Sequence, residues 1–475
     1  MAKLFGTDGI RSQAGQFPLD AATTHLIGRS LAFHLRARSG QRAPLIVTGR
    51  DTRESGPWLE DELIAGAREA AAEVRSAGVI TTPGVAFLTR ALPADAGVVI
   101  SASHNPYQDN GIKIFEPSGR KLDDATEQLI EADIVRESRG TSSIDSPQRT
   151  QRNLQAAAKE NSSVSSVVSP DDSPDKSAAL QGLYLTYLAQ DVAQDLRLDK
   201  LTIVVDCANG AASAIAPVLF TRLGAKVKVI NNQPDGRNIN RGCGSLDIEG
   251  LKHKVVDVRG DLGVAYDGDA DRALVVDAGG KLVDGDATLW VLAKYLQTRG
   301  QLHDNTVVAT VMSNIGLEIA LRSRGIRLLR TDVGDKYVLE KLLETGASVG
   351  GEQSGHIIFP GLSLAGDGMI TTLRLLQVIR DEDCKLSDLT EGFGRFPQVL
   401  VNVRVREKRP FDEVPRIVGI ADETRAKLGD KGRLLLRYSG TEPLARIMIE
   451  GPEQAEIERC ADALAEAIRV TLGAP

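Results

Sequence analysis

The sequence predicts an α/β protein of several domains, closed by a small α+β unit. Three observations carry that expectation. Strand-like apolar runs alternate with helical stretches along most of the chain. A Ser-rich segment, residues 141–177, interrupts the alternation with ten Ser, three Pro and no aromatic residue. The tail then changes to period-two patterning. At roughly 150 residues per domain, 475 residues make about three domains.

In chain order, Leu45–Thr48 reads as a buried strand, followed by a helical pattern from Trp58 to Ser76 that Gly78 ends. Strands are expected at Val98–Ile100 and Ile112–Phe115, with a solvated helix start near Asp123–Glu127. This order suggests a mostly parallel sheet with helices on its faces. Segment 141–177 cannot bury enough apolar surface to offset chain entropy, so it reads as a disordered linker or surface insertion. Beyond it come the strand Leu201–Asp206, a helix after Asn209-Gly210, the strand Lys226–Ile230, a helix near Asp247–Val256 and the strand Leu262–Tyr266. A third region gives a helix from Asp284, the strand Val307–Val311, a helix from Asn314 and the strand Arg327–Leu329. Val399–Val405, Arg433–Leu436 and Ile447–Glu450 are strand-like, and Pro452–Leu472 is helical.

Composition narrows the function classes. No run of about 18 uncharged apolar residues is present, and the first residues lack an apolar signal core. A net charge of −7 and 4% aromatic residues argue against a general nucleic-acid binder. The four cysteines, Cys207, Cys243, Cys384 and Cys460, form no C-x-x-C pair. They fit a reducing, cytoplasmic compartment rather than a disulfide framework or zinc knuckle. His25, His34, His253 and His303 read as surface or ordinary helix residues.

Five segments could carry chemistry. Asp267-Gly268-Asp269-Ala270-Asp271-Arg272 follows a predicted strand. Three carboxylates at alternate positions can converge on one hard cation, and without one they repel. An EF-hand is excluded, because the sixth position is Arg272 and the twelfth is Ala278. Three carboxylates leave room for a phosphate oxygen and water, which suits Mg²⁺, and Arg272 could hold a phosphate bidentately. Ser101-Ala102-Ser103-His104-Asn105-Pro106 lies at the carboxyl end of a strand, where α/β sites are built. It has no G-x-S-x-G elbow, so a hydrolase is a poor fit. A serine near cations and a metal cage suits phosphoryl transfer, with Lys113 supplying a proton relay or charge stabilisation. Arg437-Tyr438-Ser439-Gly440-Thr441-Glu442-Pro443 presents N–H groups, hydroxyls and a guanidinium to an anion. Gly350–His356 offers a carboxylate, an amide and hydroxyls suited to a sugar, and Phe5–Arg11 is a Gly-rich loop with one cation. Taken singly, the last four are also compatible with ordinary turns.

In this order, the five segments resemble the α-D-phosphohexomutase superfamily, and within it the bacterial phosphoglucosamine mutase family. Thr82–Ala86, Asp206–Ala211 and Asn238-Ile239-Asn240 also match. The resemblance implies three related mixed-sheet α/β domains plus a C-terminal α+β domain around a central cleft. The expected divisions are residues 1–140, a linker 141–177, 178–282, 283–394 and 395–475. It implies that Ser103 is a phosphoserine and binds Mg²⁺ together with Asp267, Asp269 and Asp271. Arg11, His104, Lys113 and Arg272 would surround the transferring phosphoryl group. Glu352 and Ser354 would hold sugar hydroxyls, and Arg437, Ser439, Gly440 and Thr441 would grip the second phosphate. The implied partners are a hexosamine phosphate and its bisphosphate, with glucosamine 6-phosphate becoming glucosamine 1-phosphate, and a second copy of the chain in a homodimer. Mannose or glucose phosphates are the alternative substrates. No nucleic-acid or membrane partner is expected.

Overall fold

The structure, a computed structural model, describes residues 4–6, 8–140, 174–439 and 442–474. Most of the expected Ser-rich linker, 141–173, lies outside the described residues, as do Gly440 and Thr441. The last four linker residues open a helix, Pro174–Thr186, in which Ser177 Oγ donates to Ser76 O at 2.9 Å.

Four sheets succeed one another along the chain. The first is six-stranded, in the spatial order Phe5–Gly6, Gly9–Gln13, Asp109–Phe115, Ala96–Ile100, Leu45–Arg50 and Glu73–Val79. Only the pairings of Leu45–Arg50 with its two neighbours are parallel; the other three are antiparallel. The sheet is therefore mixed rather than mostly parallel. The hairpin that returns through Asp109–Phe115 reverses direction without a helical crossover. The helix expected to run to Ser76 ends at Glu69. Ala71 adopts φ +64°, which breaks the helix, and Glu73–Val79 continues as a strand.

The helices Ala21–Arg38 and Gly56–Glu69 cross on one face of this sheet. Their backbones meet where a Cβ on Gly28 would stand 2.0 Å from Leu63 O, so only glycine fits there. Asp20 caps the first helix by accepting from Thr23 N.

The second sheet has five strands, in the order Leu282–Val283, Ala273–Asp277, Leu262–Tyr266, Thr202–Asp206 and Lys226–Ile230. Leu262–Tyr266 and Ala273–Asp277 form an antiparallel hairpin with Tyr266 opposite Ala273. Residues 267–272 are therefore its turn. The third sheet orders Arg327–Thr331, Thr306–Thr310, Gly350–Gly351 and Ile357–Ile358, and Glu352–His356 turns between the last two strands. The fourth is antiparallel: Gln398–Arg404, Leu444–Glu450 and Arg433–Tyr438.

One hydrophobic core runs through the first three α/β units, joining residues such as Val47, Val99, Leu219, Val264, Leu289 and Leu376. Pro174–Thr186 sits within it, and Tyr184 Oη donates to Asp367 Oδ2 at 2.7 Å. The C-terminal unit has its own core, including Val403, Ile417, Ile447 and Leu464. It joins the third unit through a buried polar contact. Glu450 accepts from Asn314 Nδ2 at 3.1 Å and Ile315 N at 3.2 Å, and pairs with Arg433 at 2.8 Å.

Candidate active site

The first two α/β units present two loops to each other. Ser103 follows the strand Ala96–Ile100 in a left-handed conformation, φ +52°. That conformation is costly for a residue with a Cβ and persists only where the surroundings enforce it. Ser103 N donates to Ser101 Oγ at 2.9 Å, and Ser101 Oγ donates to Asp51 Oδ2 at 2.7 Å. The Ser103 hydroxyl then donates to Asp267 Oδ2 at 2.6 Å, on the hairpin turn of the second unit. A Cβ on Gly268 would stand 2.5 Å from Ser103 O, so the two loops touch at a glycine.

The carboxylates of Asp267, Asp269 and Asp271 are buried, and one oxygen of each lies within 4.8 Å of the others. Asp269 Oδ1 and Asp271 Oδ1 are buried and have no hydrogen-bond partner among the described residues. Burial, and then repulsion from Asp271 and Asp269, pushes the Asp267 carboxyl well above the ordinary aspartate range. Orphaned hard oxygen donors that disfavour one another's charge are what a divalent cation relieves, so the residues fit Mg²⁺.

Cations ring this cage. Burial alone would discharge Lys113, but Asp269, Asp8 and Asp271 hold it well above the ordinary lysine value. Its Nζ lies 2.9 Å from Asp269 Oδ2, 3.3 Å from Asp8 and 3.4 Å from Asp271. These contacts favour its charged form. Thr82 Oγ1 also donates to Asp269 Oδ2, at 2.6 Å. His104 Nδ1 lies 3.4 Å from Ser103 Oγ and 3.1 Å from Arg272 Nη1. Burial, with the charges of Arg272 and Arg11, lowers its pKa to about 4, so the imidazole is neutral at pH 7. His356 is the opposite case. Burial disfavours its charge, but Asp271, Asp335 and Glu352 raise its pKa to about 9.

A cleft of about 420 Å³ opens above the loops, lined among others by Arg11, His104, Asp271, Arg272, Glu352 and His356. Glu352 accepts from Gly334 N at 3.2 Å and from Ser354 Oγ at 3.2 Å, which fixes its carboxylate at the rim of the third unit. Arg11 pairs with Asp8 and reaches Asn105 Oδ1 at 3.4 Å. Lys121 bridges Asp8, at 2.6 Å, to Asp335 of the third unit, at 2.7 Å.

Of the sequence-predicted residues of the first three units, Arg11, His104, Asp271, Arg272 and Glu352 line this cleft, and Ser103, Lys113, Asp267 and Ser354 contact one or another of them. Of the fourth unit's, the described Arg437 and Ser439 do not line it. Arg437 faces a separate small hollow of about 30 Å³ that Arg446 also lines. The two arginines are cross-strand partners in the fourth sheet, an arrangement of like charges that favours an anion between them. Arg446 Nη2 also approaches Ser439 Oγ at 3.4 Å, and Lys408 Nζ donates to Ser439 O at 2.6 Å.

Sequence reasoning gave no role to Asp8, Asp51, Arg53, Thr82, Asn240, His356 or Arg446. Thr82 and Asn240 do lie in stretches that stood out by their residues. The buried Asp51–Arg53 pair, at 2.8 Å, had no local signal.

Four family models match the chain in series. They are phosphoglucomutase/phosphomannomutase alpha/beta/alpha domain I over residues 2–140, domain II over 183–280, domain III over 284–396, and the C-terminal domain over 400–467. The phosphoglucosamine mutase of Solibacter usitatus is 46% identical over 474 residues, covering 100% of both chains. That of Mycobacterium tuberculosis H37Rv is 45% identical over 468 residues, covering 98% of this chain and 99% of the relative. Among solved structures, a phosphoglucomutase/phosphomannomutase family protein from Burkholderia thailandensis aligns with TM-score 0.75 and 25% identity over 98% of this chain and 97% of its own. Aspergillus fumigatus N-acetylphosphoglucosamine mutase, in complex with GlcNAc-6P and magnesium, aligns with TM-score 0.63 and 19% identity over 98% and 95%, a likeness of fold.

Proposed function

The chain belongs to the phosphoglucomutase/phosphomannomutase family, and from that membership we propose that it is an isomerase, a phosphoglucosamine mutase interconverting glucosamine 6-phosphate and glucosamine 1-phosphate. The supporting observation is the contact of Ser103 Oγ with Asp267 at 2.6 Å, inside a buried three-carboxylate cage ringed by cations. The near-full-length identity of 45–46% with phosphoglucosamine mutases directs the choice of sugar.

In this reading Ser103 carries the phosphoryl group. The sugar's free hydroxyl attacks phosphorus in line, the bond from phosphorus to Ser103 Oγ breaks, and the hydroxyl proton ends on Oγ. The bisphosphate turns over in the cleft, and its other phosphate returns to Ser103 as the reverse of the same step. Asp267, Asp269 and Asp271 would hold Mg²⁺, with an oxygen on Ser103; when bound, the ion neutralises charge on the phosphoryl oxygens. Lys113, Arg272 and Arg11 supply fixed positive charge around the phosphoryl group, and neutral His104 leaves that field undiluted. Glu352 and Ser354 orient the sugar hydroxyls. Arg437, Ser439, Gly440 and Thr441, with Arg446, grip the distal phosphate, so either end of the bisphosphate meets the same serine. The four cysteines are free thiols, which suits the cytoplasm. No helix among the described residues is long and apolar enough to cross a membrane.

The test compares kcat/KM on glucosamine, glucose and mannose 6-phosphates, each with its matched bisphosphate activator. Preference for glucosamine 6-phosphate is expected. A much larger value for glucose or mannose 6-phosphate would overturn the assignment of the sugar.

A further inference from the structure

The backbone of the reacting serine is held from both sides of a domain boundary, by groups that the phosphoryl chemistry above does not use. From the first unit comes Arg53, whose side chain is fully buried. Its Nη2 donates to Ser103 O at 3.0 Å and Asn105 O at 2.9 Å. Its Nη1 donates to Pro106 O and, at 3.0 Å, to Asp109 O, and its Nε donates to Asp51 at 2.8 Å. Five donors thus meet four loop carbonyls and one carboxylate, which uses the whole hydrogen-bonding capacity of a guanidinium.

From the second unit comes Asn240. Its Nδ2 donates to the same two carbonyls, Ser103 O at 2.9 Å and Asn105 O at 3.3 Å. The amide orientation is dictated by this contact, because the reverse would set Oδ1 against two carbonyl oxygens. Oδ1 has no hydrogen-bond partner among the described residues. Asn240 is itself anchored. Its N donates to Ala208 O at 2.9 Å, the neighbouring Ile239 is buried, and its φ of +58° is one that asparagine tolerates.

The second unit therefore holds both ends of the arrangement: the carboxylate that receives Ser103 Oγ and the amide that holds Ser103 O. We propose that Asn240 is a positioning residue for phosphoryl transfer, and that with Arg53 it forms a two-domain clamp keeping the Ser103 oxygen in register with the carboxylate cage. The inference rests on the reading of Ser103 as the phosphoryl carrier. The physical ground is that transfer between oxygens depends steeply on alignment, so a small swing of the serine costs rate and leaves sugar binding intact.

The test is single-turnover transfer from phosphorylated Ser103 to the sugar phosphate. Asn240→Asp keeps size and backbone tolerance but replaces the donor with an acceptor. Asn240→Gly removes the side chain without backbone strain. Both are expected to slow transfer and kcat together by about 10- to 100-fold, with KM for the sugar phosphate within about two-fold and the melting temperature close to wild type. Transfer at the wild-type rate in both variants would overturn the clamp. A rate loss that merely tracks a raised KM or a lowered melting temperature would overturn it as well. Phosphorylated wild type that transfers nothing would instead bring down the phosphoserine reading.

Discussion

Ser103 Oγ lies 2.6 Å from Asp267 Oδ2, although 164 residues separate them in the chain. The hydrogen bond joins the first α/β unit to the second at the point where the phosphoryl group and the cation would meet.

Replacing that hydroxyl should end the reaction. Ser103→Ala is expected to lower mutase turnover by about 10³-fold or more, because in the proposed reaction Ser103 Oγ is the carrier of the group. An isomerase assay, with a search for the Ser103 phosphopeptide in the wild type, checks this. Full activity in the variant would refute the phosphoserine route.

Removing the metal should act through the cage. A chelator is expected to abolish turnover and added Mg²⁺ to restore it, since Asp269 Oδ1 and Asp271 Oδ1 accept no hydrogen bond among the described residues. Turnover that persists in chelator would show that these carboxylates do another job.

Gly268→Ala tests how closely the two loops approach. The new Cβ would stand 2.5 Å from Ser103 O and 2.8 Å from Ile239 Cδ1. Overpacking of this kind costs about 1–3 kcal/mol. The expected result is a lower melting temperature together with a fall in kcat larger than any change in KM. A variant with wild-type kcat would mean that the loops can separate without consequence.

Lys121→Met should loosen the first unit from the third. The ammonium joins Asp8 and Asp335 in half-buried ion pairs, and removing it leaves two carboxylates facing each other without a counter-charge, at a cost of about 1–2 kcal/mol after solvent screening. Asp335 follows Gly334, whose N–H holds Glu352, so KM for the sugar phosphate is expected to rise alongside a loss of thermal stability. Unchanged KM and melting temperature would contradict the latch.

Asp286 should make stability depend on pH. Burial, reinforced by the nearby charge of Asp284, raises its pKa to about 7, against roughly 4 in the unfolded chain. Between those values the folded protein keeps a proton that the unfolded chain has lost, so this group's contribution to stability falls as pH rises from about 4 to about 7. Asp286→Asn, which does not titrate, is expected to flatten that slope in melting temperatures measured across the window. Asp367, raised to about 6 by burial, adds a slope of the same sign, so the readout is the difference between variant and wild type. An identical slope in both would refute the assignment.

Much of the site was legible because its parts are local. Asp267, Asp269 and Asp271 fall in one hairpin turn, and the flanking strands announce themselves by apolar runs at Leu262–Tyr266 and Ala273–Asp277. Ser103 is at the end of a buried strand and Glu352 is in a turn between two short ones. The helical pattern extends in sequence to Ser76, four residues into the strand Glu73–Val79, because Ala67 to Ala72 continues the helical composition and only the backbone reversal at Ala71 ends it.

By itself, then, the sequence determined where most strands and helices fall and which loops hold the candidate site residues. Spacing within a turn and periodicity within an element are short-range properties, written in consecutive residues. The tertiary structure decided everything that depends on groups distant in the chain: the pairing of Lys113 with Asp269, the neutral state of His104 and the grip of Arg53 and Asn240 on one carbonyl. It also decided that Arg437 and Arg446 share a pocket apart from the cleft. Burial and Coulomb terms depend on separation in space, and separation along the chain does not encode it.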